Sequence, residues 1–217
     1  MSRKSEVQPE TLLVLGGVAL VGLGLAMWGG AEVVQRVVHD AALTPSGVAW
    51  VDRFPGSRST ASLVQPFRGS VERFIAAIEA AGGHVRINVA RRPYERTWLQ
   101  HWAYLIAVKG LNPAAVPALA GVPIDWVAGG VAGARAMNDA YDTVYPGASL
   151  TSNHVAGRAI DMNIDFPWAT TVRDASGRPV TIAAGDGDTN PVLFAVGATY
   201  GVHKLPIDHP HWSFDGA

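Results

Sequence analysis

The sequence predicts an α+β domain, with a small antiparallel sheet flanked by helices, preceded by an N-terminal transmembrane helix. Helical and strand patterns do not alternate regularly along the chain, and the strands are few and short. A parallel doubly wound sheet needs a regular alternation of strand and helix, so the antiparallel arrangement is favoured. The transmembrane helix is predicted from an uncharged stretch at residues 12–31.

The elements of the domain follow from local periodicity. A helix is predicted over 67–81, where apolar residues recur at helical spacing until Gly82-Gly83. Residues 84–89 alternate polar and apolar side chains, which indicates a half-buried strand, and Pro93 opens a helix that runs to about Val108. The remaining predicted elements are a helix near 130–143, a strand around 158–164, a hairpin with its turn at 174–178, a helix near 190–200 and a short strand at 211–214.

Composition excludes some classes of function. The 217 residues are 48% hydrophobic and 16% charged, and 17 basic residues balance 18 acidic ones to a net charge of -1. No basic block exceeds the pair Arg3-Lys4, so the electrostatic footprint of a nucleic-acid binder is missing. The chain has no cysteine, which excludes disulfides and thiolate chemistry. Any metal must therefore be held by histidines and carboxylates.

The N-terminal stretch is long enough to cross a bilayer. We expect residues 1–11 to stay in the cytoplasm, 12–31 to form a single-pass anchor in the inner or cytoplasmic membrane, 32–65 to act as a linker, and 66–217 to form a domain on the periplasmic or extracellular side. A cleaved signal and a buried core helix are the alternatives. Six glycines make the stretch weakly hydrophobic, which also fits a releasable anchor.

Candidate chemistry lies in two short segments. In the first, a loop carries His154 and the following strand carries Asp161; the second, near the C-terminus, contains Asp208, His209 and His211. A catalytic zinc site uses three protein ligands, an open position and a nearby carboxylate that accepts a proton. We assign His154, Asp161 and His211 as ligands and Asp208 as the base. His209 is an alternative ligand, because alternate residues of a strand point to one face.

Together these segments resemble the zinc D-alanyl-D-alanine carboxypeptidase family, on the pattern Ser152-x-His154-x-x-Gly157-x-Ala159-x-Asp161 followed by an acidic residue three before a His-Trp pair. That family includes phage L-alanyl-D-glutamate endolysins and shares its fold with the signalling domain of Hedgehog proteins. The resemblance covers roughly residues 66–215. It implies Zn²⁺ on the three assigned ligands and a carboxylate base at Asp208, where the family often has glutamate.

The resemblance also implies residues that bind substrate. An arginine follows the first strand in the family, where it binds substrate or stabilises the oxyanion, and a glutamine lies on the next helix. Arg92 and Gln100 are the matching positions. Strand parity would place Arg91 and Arg92 on opposite faces, so Arg91 is the alternative. Ser152 is expected to hydrogen-bond the substrate or a metal ligand.

The resemblance implies a zinc-dependent peptidoglycan peptidase that hydrolyses a cell-wall stem peptide, either a carboxypeptidase or an endopeptidase. A weakly hydrophobic anchor adds the hypothesis of a phage-type lysis enzyme. The first alternative is a catalytically inactive, zinc-containing cell-wall binding module. A second is an anchored structural protein whose metal has four protein ligands. The bond that is cut is left open among the terminal D-Ala-D-Ala bond, the D-alanyl crosslink and L-Ala-D-Glu.

Overall fold

The computed structural model describes residues 42–142 and 149–217. The expected cytoplasmic segment 1–11 and anchor 12–31 lie outside these residues. Among the helices within the described ranges, none combines the length and hydrophobicity that crossing a bilayer requires. From residue 42 onward the predicted linker is part of the same compact unit as the rest of the described chain.

Five helices and nine strands form within the described ranges. The helices are α1 (Phe67–Ala80), α2 (Tyr94–Lys109), α3 (Trp126–Ala140), α4 (Asn153–Ala156) and α5 (Pro191–Thr199). The strands are β1 (Thr44–Pro45), β2 (His84–Val89), β3 (Ile124–Asp125), β4 (Ala159–Phe166), β5 (Thr170–Arg173), β6 (Pro179–Ile182), β7 (Gly185–Asp186), β8 (His203–Lys204) and β9 (His211–Ser213).

Strand β4 is the centre of the main sheet, whose path is β2-β4-β9-β8 and whose pairs are all antiparallel. Asp165 of β4 pairs with both His84 of β2 and Asp186 of β7, so β2 and β7 lie on opposite edges of β4. Asp161 pairs with His211 of β9. The predicted α+β class with a small antiparallel sheet is confirmed, with one two-stranded parallel pair, β1 and β3, added to it.

One face of β4 builds the main core. Ile160, Met162 and Ile164 are at most 2% exposed, and they belong to one apolar cluster with side chains of α1, α5 and Trp212. Burying each such side chain contributes about 1.5–3 kcal/mol. Because side chains alternate along a strand, the polar residues between them are directed to the opposite face. The core therefore determines which face of the sheet carries the chemistry.

A second core joins α2 and α3. It contains three tryptophans that are at most 4% exposed, Trp50, Trp98 and Trp126, and the last two have ring centroids 6.0 Å apart. Trp50 lies in the predicted linker, and its indole nitrogen donates to the carbonyl oxygen of Pro45. Residues from 42 onward are thus tied to the helices by a fully buried side chain.

Helix α3 begins earlier than the sequence pattern predicts. Asp125 caps it, because its carboxylate accepts a hydrogen bond from the amide of Ala128 at 2.9 Å. The backbone leaves helical geometry at Gly130, where φ is 57°. A glycine with positive φ interrupts the periodicity, so the prediction near 130–143 detected only the part beyond the kink.

The chain just after strand β1 packs closely against α3 at two glycines. Ser46, which is 6% exposed, follows β1 and lies against Gly129 and Gly133 of α3. A Cβ atom at Gly133 would collide with the carbonyl oxygen of Ser46. Backbone cannot move aside as the end of a long side chain can, so this approach requires glycine.

Gly133→Ala is expected to destabilise the protein by about 1–3 kcal/mol, because the added methyl group overpacks the contact with Ser46. The control is Gly69→Ala in α1, where the nearest atoms are ends of side chains at 3.4 and 3.5 Å. That variant should be about 0.4–1 kcal/mol more stable than wild type. Urea unfolding of both variants checks the sign; equal stability of the two would refute the packing argument.

Candidate metal centre

Three predicted ligands meet at one point. His154 Nε2 lies 3.0 Å from Asp161 Oδ1 and 3.2 Å from His211 Nδ1, and His211 Nδ1 lies 3.1 Å from the same carboxylate oxygen. His154 is 3% exposed and His211 is 8% exposed. This His154-Asp161-His211 group could hold a metal ion.

The outer nitrogens of both histidines face backbone carbonyls. His154 Nδ1 is 3.5 Å from the carbonyl oxygen of Ala90, and His211 Nε2 is 3.2 Å from that of Ala217. When the outer nitrogen of a neutral imidazole donates its N–H to such an oxygen, the lone pair is on the inner nitrogen. The inner nitrogens can therefore both act as ligands.

Local sequence positions His154 in a short helix. Ser152 caps α4, since its hydroxyl accepts a hydrogen bond from the amide of His154 at 3.2 Å. Gly157 ends α4 with φ of 69° and turns the chain into β4. A Cβ at Gly157 would also press on the backbone nitrogen of Val64 at 3.3 Å. Ser152 and Gly157 thus act on the first ligand through the backbone.

Asp161 is an anion within this group. Burial raises its pKa, but hydrogen bonds and charge from His154 and His211, when their inner nitrogens are protonated, outweigh burial, and the net shift of the Asp161 pKa is strongly downward. Strand pairing holds Asp161 opposite both Val89 and His211. The carboxylate therefore stays ionised, which is the form that binds a cation.

Arg92 lies beside the ligands, with Nη2 4.0 Å from Asp161 Oδ2. Its own amide donates to the carbonyl oxygen of His154. Burial lowers the pKa of Arg92, and the charge of Asp161 opposes that shift. Arg91 is exposed and pairs through its backbone with Ser57. The register of β2 shifts between Ile87 and Val89, so simple strand parity does not extend to these arginines.

Asp208 lies on the turn that leads into β9. Its backbone carbonyl accepts a hydrogen bond from the amide of His211 at 3.0 Å, and its side chain is half-buried. Burial lowers the pKa of the partly buried Arg92, and the charge of Asp208 opposes that lowering together with the charge of Asp161. His209 is exposed and lies outside the ligand group. The His-x-His pair spans a turn with Pro210, and β9 begins only at His211, so the two rings do not share a strand face.

Lys204 is a component that sequence analysis missed. The residue is 8% exposed. Its ammonium group donates to the carbonyl oxygens of Leu205, Asp208 and His211 at 3.0, 2.6 and 3.2 Å. Burial lowers its pKa, and carboxylates led by Asp188 oppose that shift. Lys204 thereby closes the loop that carries Asp208 and His211. No local motif marks a lysine that bonds only to backbone.

Gln100 is predicted to bind substrate, and Ser152 is predicted to hydrogen-bond the substrate or a metal ligand. Gln100 is 8% exposed within α2, and its side-chain oxygen has no hydrogen-bond partner among the described residues. None of the side-chain hydrogen bonds within residues 42–142 and 149–217 joins it to the three ligands. Ser152 contacts the site only by capping α4, where its hydroxyl accepts a hydrogen bond from the amide of His154. Their roles toward substrate stay predictions.

No family model matches the sequence, and no curated protein matches it either.

Zn²⁺ is expected to raise the melting temperature of the full chain, because a ligand that binds only the folded state at one hundred times its Kd adds about 2.7 kcal/mol. His211→Ala should abolish this rise, since it removes one of three ligands. His209→Ala should keep it. Thermal unfolding with and without the ion measures both; a loss of the rise in the His209 variant alone would reverse the ligand assignment.

Lys204→Met should weaken Zn²⁺ binding about 10–100-fold, the usual effect of removing a group that positions a metal ligand. The control is Lys109→Met, because Lys109 is an exposed lysine in the last turn of α2. Titration against a chelator of known affinity gives both constants. Equal affinities in the two variants would show that the loop holds its shape without Lys204.

Proposed function

We propose that this protein is a zinc-dependent peptidase that hydrolyses peptide bonds of bacterial cell-wall peptidoglycan. The observation that carries the proposal is the convergence of His154, Asp161 and His211 beside Arg92. Their ligand atoms form a triangle with sides of 3.0, 3.1 and 3.2 Å. Tetrahedral zinc with bonds near 2.05 Å separates its ligand atoms by about 3.3 Å, so the triangle is close to the required size.

The donor set also supports zinc. Two imidazoles and one carboxylate are ligands that zinc accepts, and three protein ligands leave one coordination position for substrate or water. A zinc ion held there would act as a Lewis acid toward a peptide carbonyl and lower the pKa of water. Closed coordination by four protein residues would instead favour the structural alternative, but His209 lies outside the ligand group.

The chain's own residues supply the remaining steps. The carboxylate of Asp208 accepts a proton from the attacking water and transfers it to the nitrogen of the leaving amine. The guanidinium of Arg92 donates hydrogen bonds to the oxyanion that develops on the attacked carbonyl. Arg92 is partly buried, with 18% of its side chain exposed, so its charge acts with little screening by solvent.

Cell-wall peptide is the substrate class that the family resemblance supports. The motif from Ser152 to Asp161 and the acidic residue three before His211-Trp212 carry that resemblance. The uncharged stretch 12–31 supports a membrane-anchored enzyme whose catalytic domain lies on the periplasmic or extracellular side, where that polymer is found. The same stretch is weakly apolar, which supports the narrower proposal of a phage-type lysis enzyme.

The zinc-loaded full chain, in detergent, should release peptides from purified peptidoglycan, and chelation should stop the release. Asp208→Asn should lower the rate about 10²–10⁴-fold, the contribution of a general base. The control is Asp139→Asn, the same change at an exposed position of α3. Mass spectrometry of the products identifies the bond.

Two results of the same digestion would contradict either the proposal or the assigned base. Intact wall material after treatment with folded, zinc-loaded protein would favour the cell-wall binding module. If the Asp208→Asn variant digests the wall at the wild-type rate, the peptidase function is retained and Asp208 is rejected as the base.

A further inference from the structure

The polar face of the main sheet carries a second feature beyond the metal centre. An open cavity of about 390 Å³ lies there, and its lining includes Asn163, Asp165, Asp186 and Asp188. Asn163 and Asp165 follow the ligand Asp161 at alternate positions of β4, so all three occupy one face of the strand. The cavity and the metal centre are thus parts of one continuous sheet face.

Asp188 is the buried member of this cavity. The residue is 3% exposed, and its Oδ2 accepts a hydrogen bond from Asn163 Nδ2 at 3.1 Å. Its Oδ1 is buried and has no hydrogen-bond partner among the described residues. Burial raises the pKa of Asp188 by more than the hydrogen bond from Asn163 and the charge of Lys204 lower it. A buried acceptor left without a donor is costly, which points to a donor supplied by a ligand.

The charges around the cavity favour a cationic ligand. Asp165, Asp186 and Asp188 face one guanidinium, that of Arg86. Arg86 already donates to the side-chain oxygen of Asn163 at 3.0 Å. The lining also holds two imidazoles, those of His84 and His209. Three carboxylates against the guanidinium of Arg86 and the nearby ammonium of Lys204 leave a net negative site.

Lys204 does not compensate these carboxylates by direct contact. It is close enough for Asp188 to raise its pKa, but its ammonium is hydrogen-bonded to three backbone carbonyls of the neighbouring loop. Asp186 also stabilises the local backbone, because its Oδ1 accepts a hydrogen bond from the amide of Asp188 at 2.8 Å. An asparagine can accept the same bond, so charge and capping can be separated by substitution.

We propose that this cavity binds a primary ammonium group of the peptide substrate, such as the side-chain amine of a diamino-acid residue. The inference rests on the proposed peptidase function. At about 3.3 Å per residue, Asn163 lies about 7 Å and Asp165 about 13 Å along β4 from Asp161. A peptide on the sheet face with its scissile bond at the metal centre reaches the cavity with a long side chain near that bond. Peptides whose amine is free are then preferred over those whose amine is joined in an amide.

Binding is tested with two synthetic stem pentapeptides that differ only in whether the side-chain amine of a lysine at the third position is free or acetylated. The zinc-loaded full chain carrying Asp208→Asn is used, so that turnover does not obscure calorimetric titration. The free amine should bind about tenfold more tightly, as expected when a charge-assisted hydrogen bond is lost.

Variants then assign the preference to the cavity. In the same background, Asp186→Asn and Asp188→Asn should each reduce the preference to less than about threefold. Asp165→Asn, at an exposed position, gives a variant that does not disturb buried structure. It should reduce the preference as well, and Asp139→Asn should leave it at about tenfold. Melting temperatures confirm that each variant is folded.

The outcomes separate this inference from the proposed function. Equal binding of the two peptides, no binding of either, or a preference that survives all three cavity substitutions overturns the ammonium site. Cleavage of both peptides at one rate by the wild-type chain would retain the peptidase and also reject the site. A preference in binding without cleavage by the wild-type chain would retain the site and reject the peptidase.

Discussion

Side-chain alternation along β4 is the constraint on which both the core and the candidate site depend. Ile160, Met162 and Ile164 must face the apolar cluster, and this requirement directs Asp161 and Asn163 to the other face. A slip of one residue would bury the carboxylate and expose the aliphatic side chains. The hydrophobic effect that folds the sheet therefore also orients Asp161, so folding and the geometry of the candidate metal site share one determinant.

The candidate metal centre brings together groups that repel each other without a cation or shared protons. Its ligands come from a short helix, the central strand and the last strand, and His154 and His211 are 57 residues apart in sequence. Three lone pairs directed at one point are stabilised when a positive charge occupies that point. Burial raises the pKa of Asp161, but hydrogen bonds and charge from the protonated imidazoles of His154 and His211 lower it by more, so protons on these rings stabilise the ionised carboxylate. Arg92, at 4.0 Å, adds positive charge beside that carboxylate.

Much of the fold could be predicted because it depends on local signals. Helix α1 and strand β2 follow from periodicity and a glycine stop, and the hairpin of β5 and β6 follows from its turn. Features that depend on distant contacts could not be predicted. The bulge in β2 breaks the parity used for Arg91 and Arg92, and the kink at Gly130 hides the start of α3.

The grouping of His154, Asp161 and His211 as a candidate metal site could be predicted from the sequence, because residue type and spacing restrict metal sites strongly. The choice between His209 and His211 required the turn before β9. Lys204 required the three-dimensional loop itself, because it binds backbone carbonyls that carry no sequence signature.

That buried lysine restricts how this protein can change during evolution. Three carbonyl oxygens around one point match the three N–H bonds of an ammonium group, whereas the planar fork of arginine presents its donors in a different geometry. Replacing Lys204 with arginine keeps the positive charge but would thus disrupt the hydrogen bonds to the three carbonyl oxygens. Insertions between Leu205 and Pro210 would separate the same carbonyls, so lineages that lengthen this loop should have to replace the lysine in the same step.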